Sequence, residues 1–369
     1  MKIVFWLASC LPELGGLQWS TYRLARALQK NGYEILFLTR LTEQAELIQD
    51  CQIIRLPGDS IPEWTENSGR WLFEHKDEFD IIHTVDLFYQ AIDLQFASLK
   101  RCAKPTVLKI PTAGYIPRLI ASETLKLSLQ SINAIITLND LIQEELIGVG
   151  VSLEAIYCIP NGIDADEFIP AVDKAALRRS LDLPLDKILL IFAGRFVARK
   201  RLDILLAAIA EMNNDVRLIM VGSGFGQRDS IEESIIKVAL QSDKVITVQA
   251  VNDCRPYFQA SDIQILLSER EGLSNSLLEG MSCALPTIAT DIPGINNVIT
   301  NDSEGILVPV GAVSETSLAI KQLSPDEPLR RRLGNSARAR IIRTFSLEQV
   351  VKQYHELYQK IIKQERRRL

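Results

Sequence analysis

The stretch Glu269-Arg270-Glu271-Gly272-Leu273-Ser274-Asn275-Ser276-Leu277-Leu278-Glu279-Gly280 follows, one residue on, the apolar run Ile263-Gln264-Ile265-Leu266-Leu267. The run reads as a strand and Gly272 as a turn. A helix then extends to about Cys283, and Ser274 or Asn275 can cap it by accepting a hydrogen bond from its free amides. A strand that turns through glycine into a helix aims several N–H groups at one spot with the helix dipole behind them, an arrangement that binds phosphate. Glu271 lies at the mouth of that spot, and Glu279 follows about two turns along the helix. Neither carboxylate is a natural phosphate ligand, but both can accept hydrogen bonds from sugar hydroxyls. The chemistry suggested is recognition of a nucleoside diphosphate carrying a sugar, although two glutamates at this spacing also occur on solvated helices.

Outward from this segment, short apolar strands alternate with longer helical segments, the pattern of parallel sheets built from βαβ units. The first half reads as strands over Lys2–Leu7, Tyr33–Leu38, Cys51–Leu56, Asp80–His83, Thr106–Ile110, Ala134–Thr137 and Ala155–Ile159. A helix after Gly16 carries Leu17, Thr21, Leu24, Ala25 and Leu28 on one face and stops at Asn31-Gly32. The second half restarts with Ile188–Ala193, Arg217–Val221, Lys244–Val248, Ile263–Leu267 and Pro286–Ala289. The turn-rich Ile159-Pro160-Asn161-Gly162-Ile163-Asp164 separates the halves. From Phe345 onward a final helix shows Leu347, Val350, Val351, Tyr354, Leu357, Tyr358 and Ile361 on its apolar side.

The chain has 369 residues, more than one hydrophobic core usually serves, so two domains are expected. A net charge of −5 gives no reason to expect nucleic acid, and no nucleic-acid-binding signature is present. Six cysteines without CxxC spacing read as reduced thiols rather than disulfides. The opening Met1–Cys10 faintly resembles an export signal, but its single lysine and short apolar run fit a buried first strand better. No apolar run approaches the ~20 residues that span a bilayer, and a cytoplasmic location is expected. No His/Asp/Glu spacing recommends a metal site, and no cofactor is expected. His83 ends a strand and reads either as lining a cleft or as packed, and His75 and His355 lie in helical stretches.

Three further clusters carry candidate chemistry. Ala193-Gly194-Arg195 and Lys200 follow the first strand of the second half, where open α/β sheets bind ligands, and cations there can hold phosphate oxygens. Val221-Gly222-Ser223-Gly224 follows the next strand, and its glycines allow close backbone approach to a base or ribose. Gly15-Gly16 opens the first helix with another set of backbone amides. Each motif is weak alone.

Taken in order, these pieces resemble the GT-B glycosyltransferases, specifically the retaining family 4 type. The resemblance rests on Gly15-Gly16, Asn161-Gly162-Ile163-Asp164, Ala193-Gly194-Arg195 with Lys200, Val221–Gly224, Ala260-Ser261-Asp262, Glu271–Glu279 and Thr290-Asp291-Ile292-Pro293-Gly294. It implies two Rossmann-like domains facing across a cleft, 1–167 on the acceptor side and 168–345 holding the sugar nucleotide. The last helix, 346–369, would cross back to the first domain. It also implies that Arg195 and Lys200 grip the donor diphosphate and that amides of Gly272, Leu273, Ser274 and Asn275 contact phosphate or sugar. Glu279 would hold the ribose, Glu271 the donor sugar, and Gly16 would approach the phosphate. Retention of configuration without a bound metal is part of the same implication, with UDP the expected nucleotide and a saccharide, lipid-linked or small molecule the acceptor. The alternatives are a non-catalytic sugar-nucleotide-binding regulatory subunit and a nucleotide-sugar epimerase on the same fold.

The chain departs from that pattern at three places. A histidine usual after Thr106–Ile110 is replaced by Lys109-Ile110-Pro111-Thr112-Ala113-Gly114, where Thr112 or Lys109 would have to serve the donor sugar. Arg201 and Ala284 stand where glycines are usual and read as tolerated backbone changes. Finally, Lys100, Arg101, Lys104, Lys109, Arg118 and Lys126 crowd against one acid, Glu123. This cluster reads as a solvated face, or as a contact for an anionic acceptor or for the inner membrane surface.

Overall fold

The computed structural model describes residues 1–11, 15–41, 51–114, 116, 123–222, 237–239 and 241–367. These divide into two compact units, Met1–Gly162 with Leu347–Leu369, and Ile163–Ser346.

The first unit is built on strands β1 (Lys2–Trp6), β2 (Glu34–Arg40), β3 (Gln52–Leu56), β4 (Ile81–Val85), β5 (Thr106–Ile110), β6 (Ala134–Thr137) and β7 (Ile156–Cys158). They form one parallel sheet in the order β3-β2-β1-β4-β5-β6-β7. Strands such as β1 and β4 are buried almost throughout, as expected of a parallel sheet with both faces covered. The helix Gly16–Lys30 buries Leu24, Ala25 and Leu28 against this core. The closing helix Leu347–Glu365 brings Val350, Val351, Tyr354, Leu357, Tyr358 and Ile361 into the same cluster. Each such side chain contributes about 1.5–3 kcal/mol on burial, which ties the far end of the chain to its first strand.

His83 belongs to this core and lines no cleft. It lies inside β4, which runs on to Val85 because Thr84 and Val85 are as buried as the residues before them. Its ring stacks on Phe5 at 4.6 Å, and Nδ1 lies 2.7 Å from the Tyr358 hydroxyl. Burial, and then the nearby Lys109 charge, push its pKa well below the usual histidine range, so it is packed as a neutral ring. His355 meets the Tyr33 hydroxyl at 2.8 Å, and His75 stacks on Trp71.

The second unit carries β8 (Ile188–Ala193), β9 (Val216–Val221), β10 (Val245–Val248), β11 (Ile263–Leu266), β12 (Thr287–Thr290) and β13 (Gly305–Val308). They are parallel, in the order β10-β9-β8-β11-β12-β13. Strand β13 is an addition to the sequence reading. It is a short edge strand whose central residues are only half-buried, so its apolar signal is brief. Asp262, just before β11, accepts hydrogen bonds from Arg178 at 2.6 Å, Lys174 at 3.0 Å and the Leu189 amide at 2.8 Å. Asp262 therefore ties the helix Lys174–Ser180 and the start of β8 to the start of β11.

In each sheet the strand order reverses at one place, between β1 and β4 and between β8 and β11. Open α/β sheets bind ligands beyond the carboxyl ends of the strands at such a point.

Candidate active site

The carboxyl ends of β8 and β11 place most of the sequence candidates of the second unit together. After β8 the chain turns through Gly194 and Arg195 into a short 3-10 helix, Ala198–Lys200. After β11 it passes Ser268 and reaches Glu271. The Lys200 ammonium meets Glu271 Oε1 at 2.5 Å, and both side chains are nearly buried. Ser268 Oγ donates to the same oxygen at 2.6 Å. Burial pushes the Glu271 carboxyl up, but the charge of Lys200 and the hydrogen bonds from Lys200 and Ser268 together outweigh it, and its pKa falls below the ordinary value. Glu271 is therefore held as a carboxylate beside the Lys200 ammonium at the strand ends.

Behind it starts the helix Asn275–Ser282. Its N-cap is Ser274, whose hydroxyl accepts from the Leu277 amide at 3.4 Å. Gly272, Leu273 and Ser274 are buried as the chain enters this helix. One face of the helix carries Glu279, also buried, whose Oε2 accepts from the Cys254 thiol at 3.5 Å. Arg195 is exposed just past β8.

Gly222 has φ +147°, and a Cβ there would lie 1.9 Å from the Gly194 carbonyl oxygen. The close approach that its glycine allows is between the ends of β8 and β9. Gly224, the other glycine of that motif, lies outside the described residues.

In the first unit, Gly15 caps the helix Gly16–Lys30 with extended backbone, and Gly16 is exposed at its start. Lys109 and Asn161, separate candidates in the sequence, meet each other: Lys109 Nζ donates to Asn161 Oδ1 at 2.8 Å, and both are buried. Burial lowers the Lys109 pKa to about 8. Lys109 thus drops out of the surface basic cluster. Of the rest, Arg101 lies over the Phe73 ring at 4.3 Å, Lys104 over Phe79 at 5.9 Å, and Lys126 pairs with Glu123 at 2.7 Å. Arg118 lies outside the described residues. Thr112, two residues past β5, is half-buried.

Two family models match the chain, Glycosyl transferases group 1 over residues 173–340 and Glycosyltransferase Family 4 over 14–167. The chain belongs to the group 1 glycosyltransferases. Among curated relatives of this glycosyltransferase, the D-inositol 3-phosphate glycosyltransferase of Xylanimonas cellulosilytica is 25% identical, the match covering 89% of this chain and 87% of the relative. Among solved structures, HepE of Anabaena in complex with UDP-glucose superposes with a TM-score of 0.83 at 18% identity, covering 98% of this chain and 100% of HepE. The sucrose-phosphate synthase of Thermosynechococcus elongatus gives 0.80 at 22% identity, covering 98% and 99%. These likenesses establish the GT-B fold of the glycosyltransferase.

Thr290 and Gly294 belong to a motif that carries the resemblance, but no individual role follows from the sequence for either, nor for Asp86 in the first unit. Thr290 Oγ1 donates to the Ser268 carbonyl at 2.6 Å and so supports the residue that holds Glu271. Gly294 has φ +88°, and a Cβ there would fall 2.3 Å from the Gly272 carbonyl oxygen. It packs directly against the turn at Gly272, and the Ile292-Pro293-Gly294 turn signal is consistent with that conformation. In the first unit Asp86 ends β4 beside that sheet's reversal point, with φ 74°. Burial pushes its carboxyl up to about 6, against hydrogen bonds from the Leu87 amide and the Tyr89 hydroxyl. Among the described residues no group of three or more His, Cys, Asp or Glu side chains could hold a metal ion, and no helix is long and apolar enough to cross a membrane.

Proposed function

We propose that this glycosyltransferase moves a sugar from a nucleoside diphosphate donor, UDP-linked, to a hydroxyl of a saccharide, lipid-linked or small-molecule acceptor, with retention at the anomeric carbon and without a metal ion. The observation that carries the reading is the buried Lys200–Glu271 pair, set where the strand order reverses and in front of a helix N-terminus. The bond from the anomeric carbon to the diphosphate oxygen breaks with negative charge growing on the leaving group. Lys200, Arg195 and the amides of Gly272 to Asn275 are fixed positive poles that meet this charge without reorganising. Glu271 accepts from donor-sugar hydroxyls and Glu279 from the ribose. Gly15 and Gly16 are the first unit's candidate amides, and Thr112 its candidate hydroxyl. HepE, of the same fold, is known with UDP-glucose bound, which supports a UDP sugar as the donor.

Calorimetric titration with UDP, GDP and ADP, each with and without EDTA, tests the reading. The expected result is tight, EDTA-insensitive binding of UDP, followed by transfer from a UDP sugar whose product keeps the donor's anomeric configuration by NMR. Absence of binding to all three would overturn it, and binding of one of them without transfer would favour a non-catalytic sugar-nucleotide-binding subunit. An EDTA-sensitive titration would remove the metal-independent part.

A further inference from the structure

Residues 199–201 and 269–271 face each other rung by rung. The Glu269 amide donates to the Arg199 carbonyl at 2.8 Å, Lys200 meets Glu271 at 2.5 Å, and Arg201 Nη1 meets Glu269 Oε1 at 3.2 Å. The last rung is made from an unfavourable backbone. Arg201 has φ 47° and ψ 46°, a left-handed conformation that crowds Cβ of an ordinary residue against its own carbonyl neighbourhood. Six described non-glycine residues have positive φ, three of them aspartates and two alanines; Arg201 is the only long side chain among them. Short aspartates tolerate this region through local hydrogen bonds, and alanine offers little bulk. An arginine has neither excuse, and a strained residue beside a site is grounds for a functional hypothesis.

The side chain shows what the strain supports. Its Nε and Nη2 grip Asp203 in a fork, at 3.0 Å to Oδ1 and 2.9 Å to Oδ2, leaving Nη1 aimed at Glu269. A planar guanidinium locked on one carboxylate presents its remaining edge in a fixed direction, which lysine cannot do. Asp203, Glu269 and Glu271 put three carboxylates on the two segments that carry Lys200 and its partner. Lys200 neutralises one of them and Arg201 lies against the other two.

We propose that Arg201 is a positioning residue of the donor site: it ties the Lys200 loop to the Glu271 loop and cancels the charge of Glu269, so that a nucleoside diphosphate meets Lys200 in place and without a repelling neighbour. This rests on the donor site proposed above.

The test compares Arg201→Gly, Arg201→Ala and Arg201→Lys for UDP affinity by calorimetry and for melting temperature. Glycine is at ease with φ near +50°, so Arg201→Gly removes the guanidinium and relieves the backbone, whereas Arg201→Ala removes the guanidinium and keeps the strain. The expected result is UDP affinity about ten-fold or more weaker in both, with the alanine variant melting below the glycine variant, and a smaller loss, about three-fold, in Arg201→Lys. A purely structural arginine would leave UDP affinity of the stable glycine variant within about two-fold of wild type, and that result would overturn the proposal. Should wild type bind no UDP, the donor-site reading fails first and the positioning role for a diphosphate falls with it. Hydrogen exchange then reads the tether separately: faster exchange in both 196–203 and 267–273 of Arg201→Gly sustains it, and unchanged exchange refutes it.

Discussion

Lys200 and Glu271 form an ion pair at 2.5 Å across 71 residues of sequence, with side chains 9% and 8% exposed. A pair so removed from water is held by its geometry, and taking away one partner strands the other charge. The carboxylate is further held by Ser268, and Ser268 by Thr290. The cation therefore stands ready at the end of β8 before any ligand arrives.

Lys200→Ala should lower sugar transfer by roughly 10²–10³-fold, the size of losing one preorganised donor, and should destabilise the fold by about 3–5 kcal/mol through the stranded Glu271. The double variant Lys200→Met with Glu271→Gln should regain most of that stability but none of the activity. Denaturant unfolding alongside a transfer assay separates the two effects; a double variant as unstable as the single one would refute the ion pair as the cause. The Glu271 pKa is lowered on folding, so its stabilising contribution is present above the ordinary carboxylate pKa and is lost as pH falls through the folded value. Glu271→Gln should remove that acid-side loss.

The Glu279 carboxylate accepts from Cys254 at 3.5 Å, so a ribose held by Glu279 would cover that thiol. UDP is expected to slow alkylation of Cys254 while leaving the exposed Cys158 reactive, as read by peptide mass spectrometry. Glu279→Ala should weaken UDP binding by about ten-fold and leave inorganic pyrophosphate binding as it was. Equal losses for both ligands would place Glu279 at the phosphates rather than the ribose.

Gly294→Ala tests the turn packed against Gly272, where the proposed donor-binding amides begin. Its φ of +88° and the 2.3 Å gap from a built Cβ to the Gly272 oxygen mean that the backbone must move. Loss of about 1–3 kcal/mol of stability is expected from the backbone conformation, together with weaker UDP binding. Gly32→Ala is the control, because Gly32 has φ +84° but nothing within 4 Å of its Cβ. It should lose stability and keep UDP affinity; parallel losses of affinity in both variants would count against a role for the 272–294 contact.

The legible parts of this molecule were those written in local pattern. Apolar runs mark most strands to within a residue or two, and the polar pair before an apolar periodic stretch marks the cap as Ser274 or Asn275, of which the structure uses Ser274. What joins distant segments was not legible. Nothing local announces that Lys200 meets Glu271, or that Lys109 is buried against Asn161. Arg201 and Ala284 read as tolerated backbone changes, yet both adopt positive φ, at 47° and 58°. The side chain at such a position says little about its backbone, because the surrounding contacts impose the conformation. Strand β13 is not legible in the sequence because an edge strand needs only a short half-buried signal.

Lys109 offers the last prediction, on the pH dependence of folding. Burial lowers its pKa from 10.5 to about 8, so the folded protein resists the protonated form more than the unfolded chain does. The cost is fully present below about pH 8 and disappears as pH rises through 10.5. That difference corresponds to about 3 kcal/mol at pH 7, offset in part by the bond to Asn161, worth ~1 kcal/mol. Lys109→Met should therefore stabilise the fold by about 1–3 kcal/mol at pH 7, with the gain shrinking toward zero near pH 10.5. Urea unfolding at the two pH values measures it directly. A variant less stable than wild type at pH 7 would mean that the Lys109–Asn161 bond outweighs the buried charge. A gain that persists unchanged at high pH would point to better packing by methionine rather than relief of a charge.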